Sequence, residues 1–305
     1  MSDLSTKLGM GWLPDYPDFR DYTVDQDSVA RKLEVLGQKD SVKGMLAKVG
    51  VAEAGRTTLP ASVDLRQWCS PIEDQGSLGS CTAHAGVGMV EYFEKRAFGK
   101  YVDASRLFLY KVTRNMLHWT GDTGALLRST MGAMTTFGVP PEEYLPYTIS
   151  DFDEEPSAFC YAFAQSYQSI AYYRLDPFGT PTNSLLTRIT TDLAAGLPSM
   201  FGFTVYSSIY QADKTGAIPF PTRGEKILGG HAIMAVGYDS RMTIKNTNPG
   251  GVETRGALLI RNSWGEDWGD AGYGWLPYEY VLRGIAVDWW SLLKNEWVDT
   301  GAFKL

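Results

Sequence analysis

The segment Gln75-Gly-Ser-Leu-Gly-Ser-Cys81 delivers a thiol from a glycine-rich loop into an apolar stretch. From Cys81 to Phe98 the sequence is apolar on most sides for three turns. Ala83, Val87 and Val90 form one face, and Met89, Tyr92 and Phe93 another, which predicts a buried helix with the cysteine in its first turn. Unpaired backbone N–H groups and the helix dipole favour an anion there. That setting lowers a thiol's pKa from about 8.5 and supplies the thiolate, which is the nucleophile. Gln75 can fold its amide back beside the cysteine's own N–H, so that two donors face a developing oxyanion. The alternative is a Cys81 that is simply a small buried hydrophobe, the commonest fate of a free cysteine.

Two further segments weigh against that alternative. Gly229-Gly230-His231-Ala-Ile-Met-Ala-Val-Gly237-Tyr238 sets a histidine at the head of a buried-strand pattern, after glycines that leave room for a substrate backbone. Leu258-Leu-Ile-Arg-Asn262-Ser-Trp264-Gly265 ends the next strand in an amide followed by an indole. A thiolate–imidazolium pair needs a neutral acceptor that holds the ring without taking its proton, and an asparagine oxygen does this. An adjacent tryptophan shields the bond from water. The other histidines are weaker bases: His84 shares a helix with Cys81, leaving no separate wall for a cleft, and reads as a packed core residue. His118, in a polar stretch before Trp119, reads as a surface residue. Cys69 and Cys160 read as unpaired thiols, with a mutual disulfide as the alternative, and no cysteine stands at metal-ligand spacing.

The elements that position these groups follow from periodicity. One short helix is predicted from a cap at Asp27 or Ser28 to Gly37, and another from Asp40 or Ser41 to Gly50. Further helices are expected at Ala104–Leu117 and at Gly124–Phe137 with Asp122 as cap. Gly86 and Gly88, each costing about 1 kcal/mol in a helix, imply that another backbone packs close. Beyond residue 195 the pattern shortens to strands at Ser199–Tyr206, His231–Tyr238, Ala257–Arg261, Tyr273–Leu276 and Ile285–Trp290. A helical half followed by an antiparallel β half predicts an α+β fold with a cleft between the halves. Ahead of it, the stretch Gly9–Tyr22 has prolines that bar a helix and carries Trp12, Tyr16, Phe19 and Tyr22, so it lies across another surface. Val51–Thr58 reads as a linker.

Bulk composition excludes several classes. The 305 residues are 44% hydrophobic and 21% charged, which is globular rather than disordered material. A net charge of -7 argues against nucleic-acid or anionic-membrane partners. No apolar run is long enough for a membrane helix, and Met1–Gly11 has no signal-peptide core. Three cysteines without a disulfide framework make the cytoplasm the default compartment, with signal-independent export as the other route.

These three blocks resemble the papain family of cysteine peptidases. Gln75, Gly76, Gly79, Ser80 and Cys81 match its Gln-Gly-x-x-Gly-Ser-Cys element, His231–Ala232 its His-Ala element, and Asn262–Gly265 its Asn-Ser-Trp-Gly element. Leu59–Arg66 is similar to the start of the family's mature enzymes. The resemblance implies a papain-like fold, helical in 59–170 and β-barrel-like in 171–305, with Cys81, His231, Asn262 and Gln75 catalytic in the cleft. It implies Gly124, or Thr123 next to it, with Gly230 and Trp264 as substrate-binding residues, a peptide or protein substrate, no cofactor and a monomer. It further implies a preference for an apolar side chain one position before the cleaved residue. It makes residues 1–58 a prosegment-like region that either inhibits the cleft, with Val51–Thr58 as the region cut, or packs permanently on the flank. Several positions depart from the common pattern: Leu78 replaces a disulfide cysteine, Thr82 a tryptophan, and His84 an aromatic. Asn262 also follows His231 by 31 residues, which marks Asp239–Gly256 as an inserted hairpin or loop. With Asp122–Arg128 and the Gly9–Tyr22 opening, these departures are similar to the bacterial, xylellain-like branch. On the same scaffold, a Cys-His-Asn acyltransferase or amidase and an inactive cleft-binding protein are the rival functions.

Overall fold

A computed structural model of the chain describes residues 8–51, 58–165 and 171–305. Most of the predicted cleavage linker, residues 52–57, lies outside the described residues. Two short helices come first, α1 (Arg31–Val35) and α2 (Val42–Lys48). Ser41 caps α2 by accepting the Gly44 N–H at 3.1 Å, whereas α1 starts after Ala30 with no side-chain cap, so Asp27 and Ser28 do not serve it. The helical side of the molecule contains α3 (Cys81–Phe98), α4 (Arg106–Met116), α5 (Leu127–Phe137) and α6 (Ala158–Ala164).

The central helix α3 is buried along its first three turns, as its all-round apolar pattern requires. Its two internal glycines face side chains rather than another backbone. A Cβ at Gly86 would meet Met134 at 3.2 Å, and one at Gly88 would meet the Arg261 guanidinium at 2.4 Å. Helix α5 begins at Leu127, later than its pattern suggested. Asp122 is engaged elsewhere, accepting the Gly79 N–H at 2.9 Å and the Tyr110 hydroxyl at 2.6 Å.

The other side is an antiparallel sheet in the order β2-β7-β3-β4-β5-β6, with β1 (Ser62–Asp64) added on β4. Its strands are β2 (Ala171–Arg174), β3 (Ser199–Tyr206), β4 (Ile227–Lys245), β5 (Glu253–Arg261), β6 (Tyr273–Pro277) and β7 (Ala286–Leu293). Helices α7 (Thr182–Ala194), α8 (Tyr278–Leu282) and α9 (Asn295–Val298) accompany it. The predicted insertion is an extension of the β4–β5 hairpin, still paired at Thr243↔Arg255 and Lys245↔Glu253. It therefore projects away from the functional ends of both strands and leaves Met234 opposite Arg261, one residue before Asn262.

The N-terminal region divides in two. Residues 9–13 lie between the helical and β sides. Downstream, Arg128 of α5 pairs with Asp21 at 2.7 Å and with Asp15, while the Tyr22 carbonyl accepts the Arg174 N–H at 2.7 Å. The α1–α2 part is built into the body. Leu33, Val42, Met45, Leu46 and Val49 are buried, α2 packs on α9 and β2, and Asn295 Oδ1 accepts the Lys39 and Asp40 N–H groups at 2.9 Å.

Candidate active site

The start of α3 is left uncapped. Ser80, at its N-cap position, makes no capping bond, and its hydroxyl bonds instead to that of Tyr147 at 2.6 Å. The Cys81 and Thr82 N–H groups, which no capping side chain takes, thus lie at the thiol, whose Sγ also accepts the Ala232 N–H at 3.4 Å. Because Ala232 directly follows His231, which lies inside β4 rather than at its start, this contact brings the histidine's stretch of the strand against the nucleophile's helix. Gln75 is pinned beside them. Its Oε1 accepts the Ser263 hydroxyl at 2.5 Å and its Nε2 donates to the Leu78 carbonyl at 2.7 Å, leaving one amide hydrogen for a ligand.

Ser263 lies within the matched Asn262–Gly265 element but was given no role there, and it is the residue that fixes the Gln75 amide. Ser263→Ala is expected to lower kcat about tenfold with KM nearly unchanged, between the loss of one ordinary hydrogen bond and the 10²–10³-fold loss of a whole oxyanion donor. Steady-state kinetics on a peptide substrate measures it.

His231 Nε2 lies 2.8 Å from Asn262 Oδ1, which also accepts the Ser263 N–H at 2.8 Å. An amide oxygen only accepts, so Nε2 carries the proton and Nδ1 keeps the basic lone pair. That Nδ1 has no hydrogen-bond partner among the described residues. Trp264 stacks on the imidazole, with ring centroids 4.4 Å apart and planes at 15°. The bond to Asn262 is thereby kept dry, as the indole's position in sequence suggested.

The rival groups are elsewhere engaged. His84 turns Nδ1 to the Ser80 carbonyl at 3.2 Å, and burial pushes its pKa down to about 3. His118 is exposed with φ of 58° at the end of α4. Cys69, Cys81 and Cys160 are all free thiols.

The cleft is filled by the chain's own N-terminal segment. Trp264 Nε1 donates to the Gly9 carbonyl at 2.8 Å, and the Gly230 carbonyl accepts the Gly11 and Trp12 N–H groups at 3.1 and 3.2 Å. Ala125 then pairs with it on both sides, donating to the Gly11 carbonyl at 2.8 Å and accepting the Leu13 N–H at 3.1 Å. The backbone bonds fall on Ala125 rather than on Gly124. Gly124 instead donates its N–H to the Tyr110 hydroxyl at 3.0 Å, and its missing Cβ makes room for the strap, since one would lie 2.1 Å from the Gly11 carbonyl oxygen. Gly11 is equally constrained, with a Cβ placed 2.0 Å from the Gly79 carbonyl oxygen.

Occlusion changes the electrostatics. Burial pushes the Cys81 thiol up to about 12, against the pull of nearby N–H groups led by that of Ala232, and pushes His231 down to about 4 despite Asn262. With the strap in place the couple is therefore a neutral thiol and a neutral imidazole.

One contact had no signal in the sequence beyond the residue types. Trp12 is buried and its Nε1 donates to Asp288 Oδ2 at 3.0 Å. Asp288 is fully buried with φ of 62°, a left-handed conformation that favours glycine, asparagine or aspartate. Its Oδ1 accepts the Trp290 Nε1–H at 2.7 Å and lies 3.3 Å from Arg174 Nη1.

Comparison with known proteins fits this geometry. The family described as papain family cysteine protease matches residues 59–286. The chain is 30% identical over 297 residues to an uncharacterized peptidase C1-like protein of Acanthamoeba polyphaga mimivirus, covering 95% of this chain and 88% of that one. The crystal structure of xylellain, a cysteine protease from Xylella fastidiosa, is similar with a TM-score of 0.70 at 29% identity, covering 94% of this chain and 96% of that one. Cathepsin K of Gallus gallus is 29% identical over 225 residues, 70% of this chain and 58% of that protein. The mimivirus and xylellain matches span more than residues 59–305 can supply, so they extend into the N-terminal region.

Proposed function

The chain belongs to the papain family of cysteine proteases, in its xylellain-like branch, and from that premise we propose a cysteine endopeptidase made as a zymogen, with residues 9–13 as its intramolecular inhibitor. Once the strap leaves, the Cys81 thiolate, paired with the His231 imidazolium, attacks a peptide carbonyl. The Gln75 side chain and the Cys81 N–H hold the tetrahedral oxyanion. His231 protonates the leaving amine as the carbon–nitrogen bond breaks, then takes a proton from the water that hydrolyses the thioester. Asn262 keeps the imidazole's proton on Nε2 throughout. No metal or cofactor enters this chemistry.

The observation that carries the reading is the direction of the strap. His231 delivers its proton to the leaving amine, so the leaving side of a substrate lies toward Trp264 and the acyl side toward Ala125. A substrate then runs from Ala125 past Cys81 to Trp264. Residues 9–13 run the other way, with Gly9 at Trp264 and Leu13 at Ala125. A reversed backbone takes up the same pairing groups, but sets its own carbonyl and leaving nitrogen in the wrong order for attack and proton delivery. It therefore occupies the site without being cut. This favours the inhibitory reading of the N-terminal aromatic segment over the purely structural one.

The test uses the full chain with Trp12→Ala, and the same chain carrying Cys81→Ala, on a library of unstructured peptides with mass spectrometry of the products. Hydrolysis at internal bonds, absent with Cys81→Ala, is expected. Transfer to amines without hydrolysis, or cleavage that survives Cys81→Ala, would sink the proposal. Asn262→Ala in the active background is expected to lower kcat about 10–100-fold, the worth of one hydrogen bond to a group that becomes charged. Its check is kcat across pH.

A further inference from the structure

The side chain of Trp12 reports on the slot it fills. Gly202 of β3 forms the floor: a Cβ there would lie 1.9 to 2.3 Å from three atoms of the indole. Gly230 borders the ring's other edge, where a Cβ would meet it at 2.9 Å. The slot is thus flat, made by two missing side chains, and too thin for a branched residue to fill without loss. At its end stands Asp288 Oδ2, which takes the indole N–H.

The two oxygens of Asp288 are not equivalent. Oδ1 is committed inside the protein to Trp290 and Arg174, and Arg174 is itself bonded through Nε to Asp176 at 2.9 Å. Oδ2 is the one that faces the slot. A side chain lacking a donor would bury this oxygen without a partner, which costs far more than a missing apolar contact. A second cation would lie beside the Arg174 guanidinium, already 1% exposed and paired to the same carboxylate. A neutral planar donor meets both conditions, and the indole of Trp12 is one whose two fused rings also fill the space that Gly202 and Gly230 leave.

The position of the slot along a substrate follows from the backbone bonds. In a substrate running from Ala125 to Trp264, the residue that donates to the Gly230 carbonyl would present its own carbonyl to Cys81. Its N-terminal neighbour would then pair with the N–H and carbonyl of Ala125 and lie over the slot. Although the strap is reversed, Trp12 stands opposite Ala125 between the same two bonds, so a substrate side chain at that place enters the same slot.

We propose that Asp288, with Gly202, is a specificity-determining pair that selects tryptophan as the second residue before the scissile bond. The proposal rests on the peptidase reading above and narrows the apolar preference expected from family resemblance to a single donor-bearing side chain. Trp12 then acts as a tethered copy of the preferred substrate side chain presented on a backbone that cannot be cleaved.

The test separates binding from catalysis. The full chain carrying Trp12→Ala and Cys81→Ala is titrated with fluorescent peptides that differ only at this position, with Trp, Phe, Leu or Arg, and anisotropy is read. The Trp peptide is expected to bind at least tenfold more tightly than the others. Adding Asp288→Asn, which keeps the left-handed backbone, is expected to shrink that ratio to about threefold or less while the Leu peptide binds as before. Adding Gly202→Ala, which leaves Asp288 untouched, is expected to abolish Trp binding selectively. Equal binding of Phe or Leu, or tighter binding of Arg, would overturn the proposal. The same peptides are then offered to Trp12→Ala with Cys81 intact. A Trp preference in binding without any cleavage would leave the slot assignment standing and remove the peptidase reading.

Discussion

Replacing Trp12 by alanine in the full chain is expected to raise kcat/KM on a peptide substrate by about 10²-fold or more. Burial of the indole and its bond to Asp288 are the largest side-chain contribution to the strap's docking. Truncating a buried tryptophan to alanine costs about 3–5 kcal/mol, and each 1.4 kcal/mol is tenfold in the docked-to-released ratio. The remaining bonds to Gly230, Ala125 and Trp264 limit the gain, because they are made by the backbone of residues 9–13 and survive the substitution. The thiol reports the same event independently of any substrate. In the docked state Cys81 is buried and its thiol, pushed up to about 12, is protonated throughout the neutral range, so its alkylation by iodoacetamide should be slow. Released, the thiol pairs with His231, and such His-paired thiolates persist down to about pH 4. Trp12→Ala should therefore alkylate quickly at pH 6, with little change up to pH 8. Peptide mapping separates Cys81 from buried Cys69 and Cys160. Equal alkylation rates in the two proteins would show that the strap does not control the couple.

The placement of Cys81, Gln75, His231 and Asn262 was legible because it depends on local grammar. A loop ends in a helix, a buried run within β4 opens on a histidine, and an amide directly follows β5. Their juxtaposition then follows from pairing β4 with β5, which the long insertion does not disturb because it extends the hairpin at its far end. The α+β division was legible for the same reason, since periodicities of 3.6 and 2 are local. Contacts between distant segments carried no such grammar. Arg261 packs on Gly88 of α3 and donates to the Ser70 hydroxyl at 3.0 Å, which in turn donates to buried Glu91 at 2.5 Å. No spacing rule announces that chain of contacts, although it underlies the strand that ends in Asn262. Asp288 was hidden for another reason: a lone aspartate in an apolar strand reads as an interruption until Trp12, 276 residues away, is seen to need it. Ala125 was missed by a single residue because the turn at Gly124, with φ of 73°, shifts the pairing groups one position on.

A chain beginning at Leu59 is expected not to fold, whereas one beginning at Asp25 should fold and be active without further treatment. The first lacks Leu33, Val42, Met45, Leu46 and Val49, all buried against the body of the enzyme. Full burial of such a side chain is worth about 1.5–3 kcal/mol, so their combined loss, roughly 10 kcal/mol, rivals the whole stability of an ordinary domain. It also strips polar partners that have no substitute. Asn295 loses the Lys39 and Asp40 N–H groups, and the Leu305 N–H loses the Val49 carbonyl at 3.0 Å. The chain from Asp25 keeps all of these and removes only the strap and its clamp. Arg128 then loses Asp15 and Asp21 but is partly exposed and can be hydrated, while Arg174 retains Asp176 and Asp288. Thermal melts and peptide hydrolysis of both truncated chains decide the matter, and a Leu59 chain melting with the full protein would refute the structural role of α1 and α2. If the expectation holds, activation has to act upstream of α1. The strap's own descending stretch, where Tyr16 is 88% and Phe19 96% exposed, offers a protease the access that such a cut requires. A cut there would separate the inhibitory strap from the helices that the mature enzyme must keep.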